Sequence, residues 1–117
     1  MGFLTTHVLD TARGIPAAGV RLQLFRDQDD ALVLIAEAVT NDDGRCDEPI
    51  LNEEVFAPGV YELHFNVGDY YRSIGVALDD PAFIDRVLIR FGISDADDHY
   101  HVPLLVSPYG YSTYRGS

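Results

Sequence analysis

The sequence contains no lysine. All eight of its basic side chains are arginines, set against 19 acidic residues for a formal net charge of −11. That imbalance excludes a nucleic-acid surface, which needs clustered cations to neutralise phosphates. It argues equally against docking on anionic lipid. Cysteine is nearly missing too: Cys46 stands alone and can form neither an internal disulfide nor a structural zinc site. No apolar run is long enough to read as a membrane span. The opening Met1-Gly2-Phe3-Leu4-Thr5-Thr6-His7 lacks the basic segment and the apolar length of a secretory signal. There is no glycine-rich phosphate loop, no Gly-x-Ser-x-Gly and no Cys–His nucleophile spacing. What remains is the expectation of a soluble, cytoplasmic, acidic domain. The acidity itself suits solubility, a salty cytoplasm or a base-composition bias, and carries no functional weight.

Hydrophobic residues make up 47% of the 117 residues and charged ones 23%, enough to build one core and too few charges for disorder. One domain, residues 1–117, is therefore expected. The periodicity is that of strands. Tyr61, Leu63, Phe65 and Val67 share one face, with Glu62, His64 and Asn66 on the other. Residues 19–26 alternate in the same way with Val20, Leu22 and Leu24 inward. Ala31 to Thr40 is a longer apolar run that ends at the turn signal Asn41-Asp42-Asp43-Gly44. Arg86 to Ile93, Tyr100 to Val106 and Phe3 to Leu9 complete the set. Turns are expected at Gly14-Ile15-Pro16, Ala57-Pro58-Gly59, Gly68-Asp69 and Asp79-Asp80-Pro81, and at most one short helix, within Tyr71 to Leu78. Six or more short strands punctuated this closely predict an all-β, antiparallel sandwich.

Parity along two of these strands carries a functional hint. If Leu4, Thr6 and Val8 face the core, then Phe3, Thr5, His7 and Leu9 face outward. If Tyr100, Val102, Leu104 and Val106 face the core, His99, His101, Pro103 and Leu105 do not. An outward face that mixes histidine with this much apolar surface does not stay wet in a monomer. It reads first as an interface between copies, and second as an interface that encloses a site.

Taken singly, a histidine is more often structural or solvated than functional. His64, flanked by Glu62 and Asn66, reads as part of an exposed polar face. His99 and His101 lie about 7 Å apart on one strand face, a spacing that a metal can bridge with His7 as third ligand. No acidic or cysteine ligand is spaced to support such a set, and Asp95, Asp97 and Asp98 read as a solvated loop. Arg45, directly after the 41–44 turn, reads as a salt-bridge partner. The last residues, 107–117, hold three tyrosines, and tyrosine-rich ends tend to pack down.

Four elements in order then carry a resemblance: Thr6-His7-Val8-Leu9-Asp10, Gly14-Ile15-Pro16-Ala17-Ala18, Asp43-Gly44-Arg45, and His99-Tyr100-His101-Val102-Pro103-Leu104-Leu105 with Tyr114-Arg115-Gly116-Ser117. Together, from Leu4 to the last residue, they resemble the transthyretin-related 5-hydroxyisourate hydrolases. The Tyr-Arg-Gly-Ser ending is the most specific of them. The resemblance implies a transthyretin-like β-sandwich of two four-stranded sheets. It also implies a homotetramer, a dimer of dimers, with sites at the dimer–dimer interface. The implied reaction is hydrolysis of a ring amide of 5-hydroxyisourate to 2-oxo-4-hydroxy-4-carboxy-5-ureidoimidazoline, without metal or other cofactor. It maps the catalytic set onto His7, Arg45, His101 and Ser117. Tyr114 and Arg115 fall in the signature tail as substrate-binding positions, and His99 is grouped with them, at the pocket rim or in a structural role.

The chemistry of these residues suits that reaction. Opening a cyclic amide needs an activated water, stabilisation of the developing oxyanion and a proton for the departing nitrogen. Either His7 or His101 can take the proton from water while the other orients water or substrate. Arg45 can hold the negative oxygen. Two other readings compete: a non-catalytic transthyretin-like module carrying a small aromatic ligand, and a metal-dependent hydrolase with His7, His99 and His101 as ligands.

Overall fold

The computed structural model describes residues 2–116. Ten strands and one helix follow in chain order: β1 Phe3–Thr5, β2 Val8–Asp10, β3 Ile15–Pro16, β4 Arg21–Gln28, β5 Ala31–Val39, β6 Gly59–Phe65, α1 Val67–Ser73, β7 Val87–Ile93, β8 His99–His101, β9 Leu104–Ser107 and β10 Gly110–Thr113. They form two four-stranded sheets, ordered β10-β9-β2-β3 and β5-β4-β6-β7, with a two-stranded β1-β8 ribbon. The expected sandwich is present, and its core is filled by the faces that alternation selects. Val20, Leu22 and Leu24 of the first hairpin and Tyr61, Leu63, Phe65 and Val67 after it are all buried.

Two pairings depart from the antiparallel expectation. β1 runs parallel to β8, and β2 runs parallel to β9, so the beginning of the chain lies alongside its end. Each of the expected long strands, 3–9 and 100–106, is also broken in two. The hydrogen bonding nevertheless continues between the pieces: Val102 and Leu104 N–H, on either side of Pro103, donate to the Thr5 and His7 carbonyls at 3.0 and 2.9 Å, and the Thr6 hydroxyl donates to the Val102 carbonyl at 2.6 Å. Pro103 itself is buried, a correction to its outward assignment, and its carbonyl accepts the Thr113 hydroxyl at 2.7 Å.

The helix lies at Val67–Ser73, ahead of the 71–78 segment where it was expected. Val67 is buried on either reading, as the last strand residue or the first helical one, so alternation could not reveal that the strand stops at Phe65. Gly14-Ile15-Pro16, read as a turn, includes the short strand β3. The tail does pack down, through β10 pairing with β9, yet the rings of Tyr109, Tyr111 and Tyr114 remain exposed. His64 is buried, not part of an exposed face. Its Nε2 meets Glu62 Oε1 at 2.9 Å and its ring lies 4.5 Å from Phe25. The pattern marked it polar because two of its strand neighbours are, while the cover comes from Phe25 on the adjacent strand.

Asp10, at the end of β2, is a fully buried acid with its acceptors filled. Tyr70 and Tyr71 hydroxyls donate to its two oxygens at 2.9 and 2.8 Å, and the Ala12 and Arg13 amides donate at 3.1 and 3.3 Å. Burial, followed by the hydrogen bond to Asp10, pushes the Tyr71 hydroxyl far above its ordinary range. This cluster ties the helix to the strand that follows His7. Tyr71→Phe removes one donor from a buried carboxylate, so it should cost about 1–3 kcal/mol of stability. The check is a lower urea midpoint with an unchanged denaturant slope.

Candidate active site

The outward face of β1, β2 and β8 gathers the predicted histidines. Phe3, Thr5, His7 and Leu9 alternate half-buried with the buried Leu4, Thr6, Val8 and Asp10, and His99 and His101 flank the buried Tyr100. Parallel register sets Phe3 opposite His99 and Thr5 opposite His101. The His99 ring stands 4.3 Å from Phe3 and 6.2 Å from the His101 ring, centre to centre. Between the two imidazoles sits Thr5, whose Oγ1 lies 2.8 Å from His99 Nε2 and 2.8 Å from His101 Nδ1.

Arg45 arrives from the 41–44 turn. Asn41 Oδ1 accepts the amides of Asp43 and Arg45 at 2.9 and 3.2 Å, and the Gly44 amide closes on the Asn41 carbonyl at 2.9 Å. Gly44 is required at this point. Its φ is +75°, and a Cβ there would lie 2.4 Å from the Val8 carbonyl oxygen. That close approach lets Val8 N–H donate to the Gly44 carbonyl at 2.8 Å and sets Arg45 opposite His7 in an antiparallel bridge. The salt bridge expected of Arg45 is not formed with any described residue. Its charge instead faces the imidazoles.

A cleft of about 420 Å³ opens here, lined by Thr5, Thr6, Arg45, Cys46, Pro49, His99 and His101, with the acids Asp47 and Glu48 on its rim. That volume suits a small ligand. A larger depression of about 570 Å³ lies between Phe83 and Tyr109 and contains no histidine, so size alone does not mark the site. Burial, and after it the charge of Arg45, lowers the proton affinity of both His7 and His101 below the ordinary 6.5; His99 and His7 lower that of His101 further. Around His7 the backbone and charge of Asp43 act in the opposite direction. Both shifts favour the neutral ring, the form able to accept a proton.

His7, Arg45, His99 and His101 thus come together. Tyr114 and Arg115 do not join them in this chain. They line a separate cavity of about 250 Å³ with Phe91 and Tyr100, where the Arg115 guanidinium stacks 4.0 Å from the centre of the Tyr100 ring and meets Asp98 at 3.0 Å. Ser117 lies outside the described residues. Gly116 is near the site: its amide donates to the His101 carbonyl at 2.7 Å. Thr5 was not singled out from the sequence, although its outward parity beside His7 was there to be read. Among the described residues no three His, Cys, Asp or Glu side chains converge as a metal ion would require, so the His7–His99–His101 ligand set does not close.

Residues 4–116 match the model of the HIUase/transthyretin family. The chain belongs to that family. Over its full length it is 63% identical to a 5-hydroxyisourate hydrolase of Pseudomonas aeruginosa, covering 93% of that protein. Among solved structures it is similar to a Klebsiella pneumoniae 5-hydroxyisourate hydrolase, at 35% identity and a TM-score of 0.83 with both chains covered completely. It is also similar to an (S)-allantoin synthase, at 50% identity and a TM-score of 0.92 over 99% of this chain, which spans 44% of the length of that protein. Sea bream transthyretin in complex with thyroxine shares the fold at 28% identity and a TM-score of 0.86, over 97% of this chain and 93% of that one. Within the family, a carrier and a hydrolase therefore share one scaffold, and the residues of the cleft must decide between them.

The electrostatic account makes a direct claim. In Arg45→Gln the proton affinities of His7 and His101 should both rise, and that of His101 should remain below 6.5, because burial, its largest cause, is unchanged and His99 and His7 still lower it. Imidazole chemical shifts followed by NMR against pH check this.

Proposed function

We propose that the chain hydrolyses a ring amide of 5-hydroxyisourate, giving 2-oxo-4-hydroxy-4-carboxy-5-ureidoimidazoline, with His7, Arg45, His101 and Ser117 as the catalytic set. The observation that carries this reading is the cleft itself: His99 and His101 line it beside Arg45, which no described carboxylate neutralises and which is bridged to His7. A carrier pocket has no use for that arrangement, whereas an amide hydrolase does. The family match and the names of the relatives point the same way.

In this mechanism one neutral imidazole takes a proton from water as the oxygen attacks the ring carbonyl. Negative charge then develops on the carbonyl oxygen, where the Arg45 guanidinium binds it. The proton gained by the imidazole is returned to the departing ring nitrogen, so the enzyme ends in its starting state. The hydrolysis is closed by these residues without a metal ion or organic cofactor. Tyr114 and Arg115 contribute to substrate binding on this proposal only if a neighbouring copy brings them to the cleft. The corresponding assembly is a homotetramer, a dimer of dimers with sites at the dimer–dimer interface, working in the cytoplasm on a small-molecule substrate. The half-buried Phe3, Leu9 and Leu105, on the outward face that carries the imidazoles, support a covered face. No helix among the described residues is long and apolar enough to cross a membrane.

The test is an ultraviolet time course. 5-Hydroxyisourate is generated in situ from urate, and its decay is followed with a chelator present. The protein should accelerate the decay, and His101→Asn should lower kcat by about a hundred- to ten-thousandfold. Since the folded-state affinities are lowered, neutral imidazole is present above them and lost as pH falls through them. The acid limb of kcat/KM should therefore lie below 6.5. No acceleration by the folded protein sinks the catalytic reading and leaves a ligand-binding module.

Gly116 supplies a second check. A Cβ at that position would lie 2.6 Å from Cδ2 of His101 and 3.2 Å from Cγ, so the ring must move. Gly116→Ala should lower kcat by about tenfold or more while the melting temperature changes little, because a small misplacement of a reacting group is expensive in rate.

A further inference from the structure

We propose that Thr5 is a positioning residue for this reaction: its hydroxyl, set between His99 and His101, fixes the tautomers of both rings and leaves Nε2 of His101 as the basic nitrogen. The inference rests on the hydrolytic reading above and deepens it by assigning the nitrogen through which His101 acts as base.

A threonine hydroxyl has one proton to give and lone pairs to accept with. Both of its imidazole contacts are 2.8 Å, short enough to be hydrogen bonds made at the same time. Only one of them can use the hydroxyl proton. The other must be an imidazole N–H donating to Oγ1, so the two rings cannot choose their tautomers independently. If both rings donated, the hydroxyl proton would have no acceptor among the described residues.

Two arrangements remain. In one, His99 Nε2–H donates to Thr5 and Thr5 donates to His101 Nδ1. That puts the proton of neutral His101 on Nε2, leaving its only lone pair tied up by Thr5. In the other, His101 Nδ1–H donates to Oγ1 and Oγ1–H donates to His99 Nε2. Here the lone pair of His101 is on Nε2, the nitrogen turned away from Thr5 and free to take a proton from water. Only the second arrangement makes His101 a base. It remains intact when His101 becomes an imidazolium, because Nδ1–H keeps its acceptor while Nε2 gains the proton.

His99 acquires a role in this scheme. It supplies the lone pair that orients the Thr5 hydroxyl, and its own ring is held against Phe3 at 4.3 Å. In this scheme it acts through Thr5. The groups facing the pair are Arg45, His7 and the rim acids Asp47 and Glu48, none of which hydrogen-bonds the Thr5 hydroxyl. The parallel register of β1 on β8 is what places Oγ1 within reach of both rings.

The experiment pairs kinetics with imidazole ¹⁵N NMR on the full chain. Thr5→Val keeps the shape and removes the hydroxyl, and Thr5→Ser restores it. In the wild type at neutral pH, His101 should be protonated on Nδ1, and Thr5→Val should lose that preference. For 5-hydroxyisourate, Thr5→Val should lower kcat by about ten- to a hundredfold, as when the partner that orients a functional imidazole is removed. KM should stay within about twofold. Thr5→Ser should retain most of kcat and the wild-type pH profile. In a double-mutant cycle Thr5→Val and His99→Ala should be strongly non-additive, since both break one chain of hydrogen bonds.

Three results overturn the proposal: His101 protonated on Nε2 in the wild type, a Thr5→Val enzyme with unchanged kcat, or a Thr5→Ser enzyme as impaired as Thr5→Val. The last would mean that Thr5 acts by packing. Absence of turnover in the wild type defeats the hydrolase reading alone. The tautomer of His101, with and without the Thr5 hydroxyl, then still decides whether Thr5 places the proton.

Discussion

The parallel pairing of the first strands with the last ones is the constraint on which the site depends. β1 contributes Thr5, the link from β1 to β2 contributes His7, β8 contributes His99 and His101, and more than ninety positions of sequence separate the two groups. Neither group forms a site alone. Parallel neighbours keep their side chains in step, so Phe3 opposes His99 and Thr5 opposes His101 in one repeated geometry. The two short pairings, β1-β8 and β2-β9, keep one register, and between them Val102 and Leu104 N–H donate to the Thr5 and His7 carbonyls while the Thr6 hydroxyl donates to the Val102 carbonyl.

The same strands divide their labour by side. Leu4, Thr6, Val8 and Asp10 point inward and are almost completely buried, and they hold position. Thr5 and His7 point outward and are half-buried. Half-burial is what the chemistry needs. Full burial would exclude water, and full exposure would return both imidazoles to an ordinary proton affinity. Asp10 shows how firmly the inner side is fixed, since two tyrosines and two backbone amides converge on it. Rigid backbone directly after His7 lets a hydrogen bond or a nearby charge, instead of packing alone, set the ring.

Much of this was legible in the sequence, for a specific reason. Alternation has a period of two, so the inward assignment of Leu4, Val8, Tyr100 and Val106 fixed the outward assignment of His7, His99 and His101 without any knowledge of how the strands pair. Pairing itself was not legible. Nothing in residues 3–9 says that they lie parallel to the end of the chain, which is why Thr5 passed unnoticed while the histidines on either side of its contact were seen. His64 failed for the related reason that its cover, Phe25, comes from another strand. The helix was placed too late because Val67 satisfies the core from a strand or from a helix. The expectation of a tetramer and of roles for Ser117, Tyr114 and Arg115 came from the resemblance and not from the pattern. In one chain Tyr114 and Arg115 line a cavity behind Tyr100, on the opposite side of β8 from the imidazoles.

That separation has its own logic. Arg115 is held by the Tyr100 ring and by Asp98, and Gly116 is held by the His101 carbonyl. The tail is therefore tied across β8 at consecutive residues, one anchored on the inward-facing tyrosine and the next beside the outward-facing histidine. A side chain at position 116 would collide with the imidazole, so glycine is the residue that lets the backbone pass against the ring. The tail then acts on the cleft through where it puts the His101 ring.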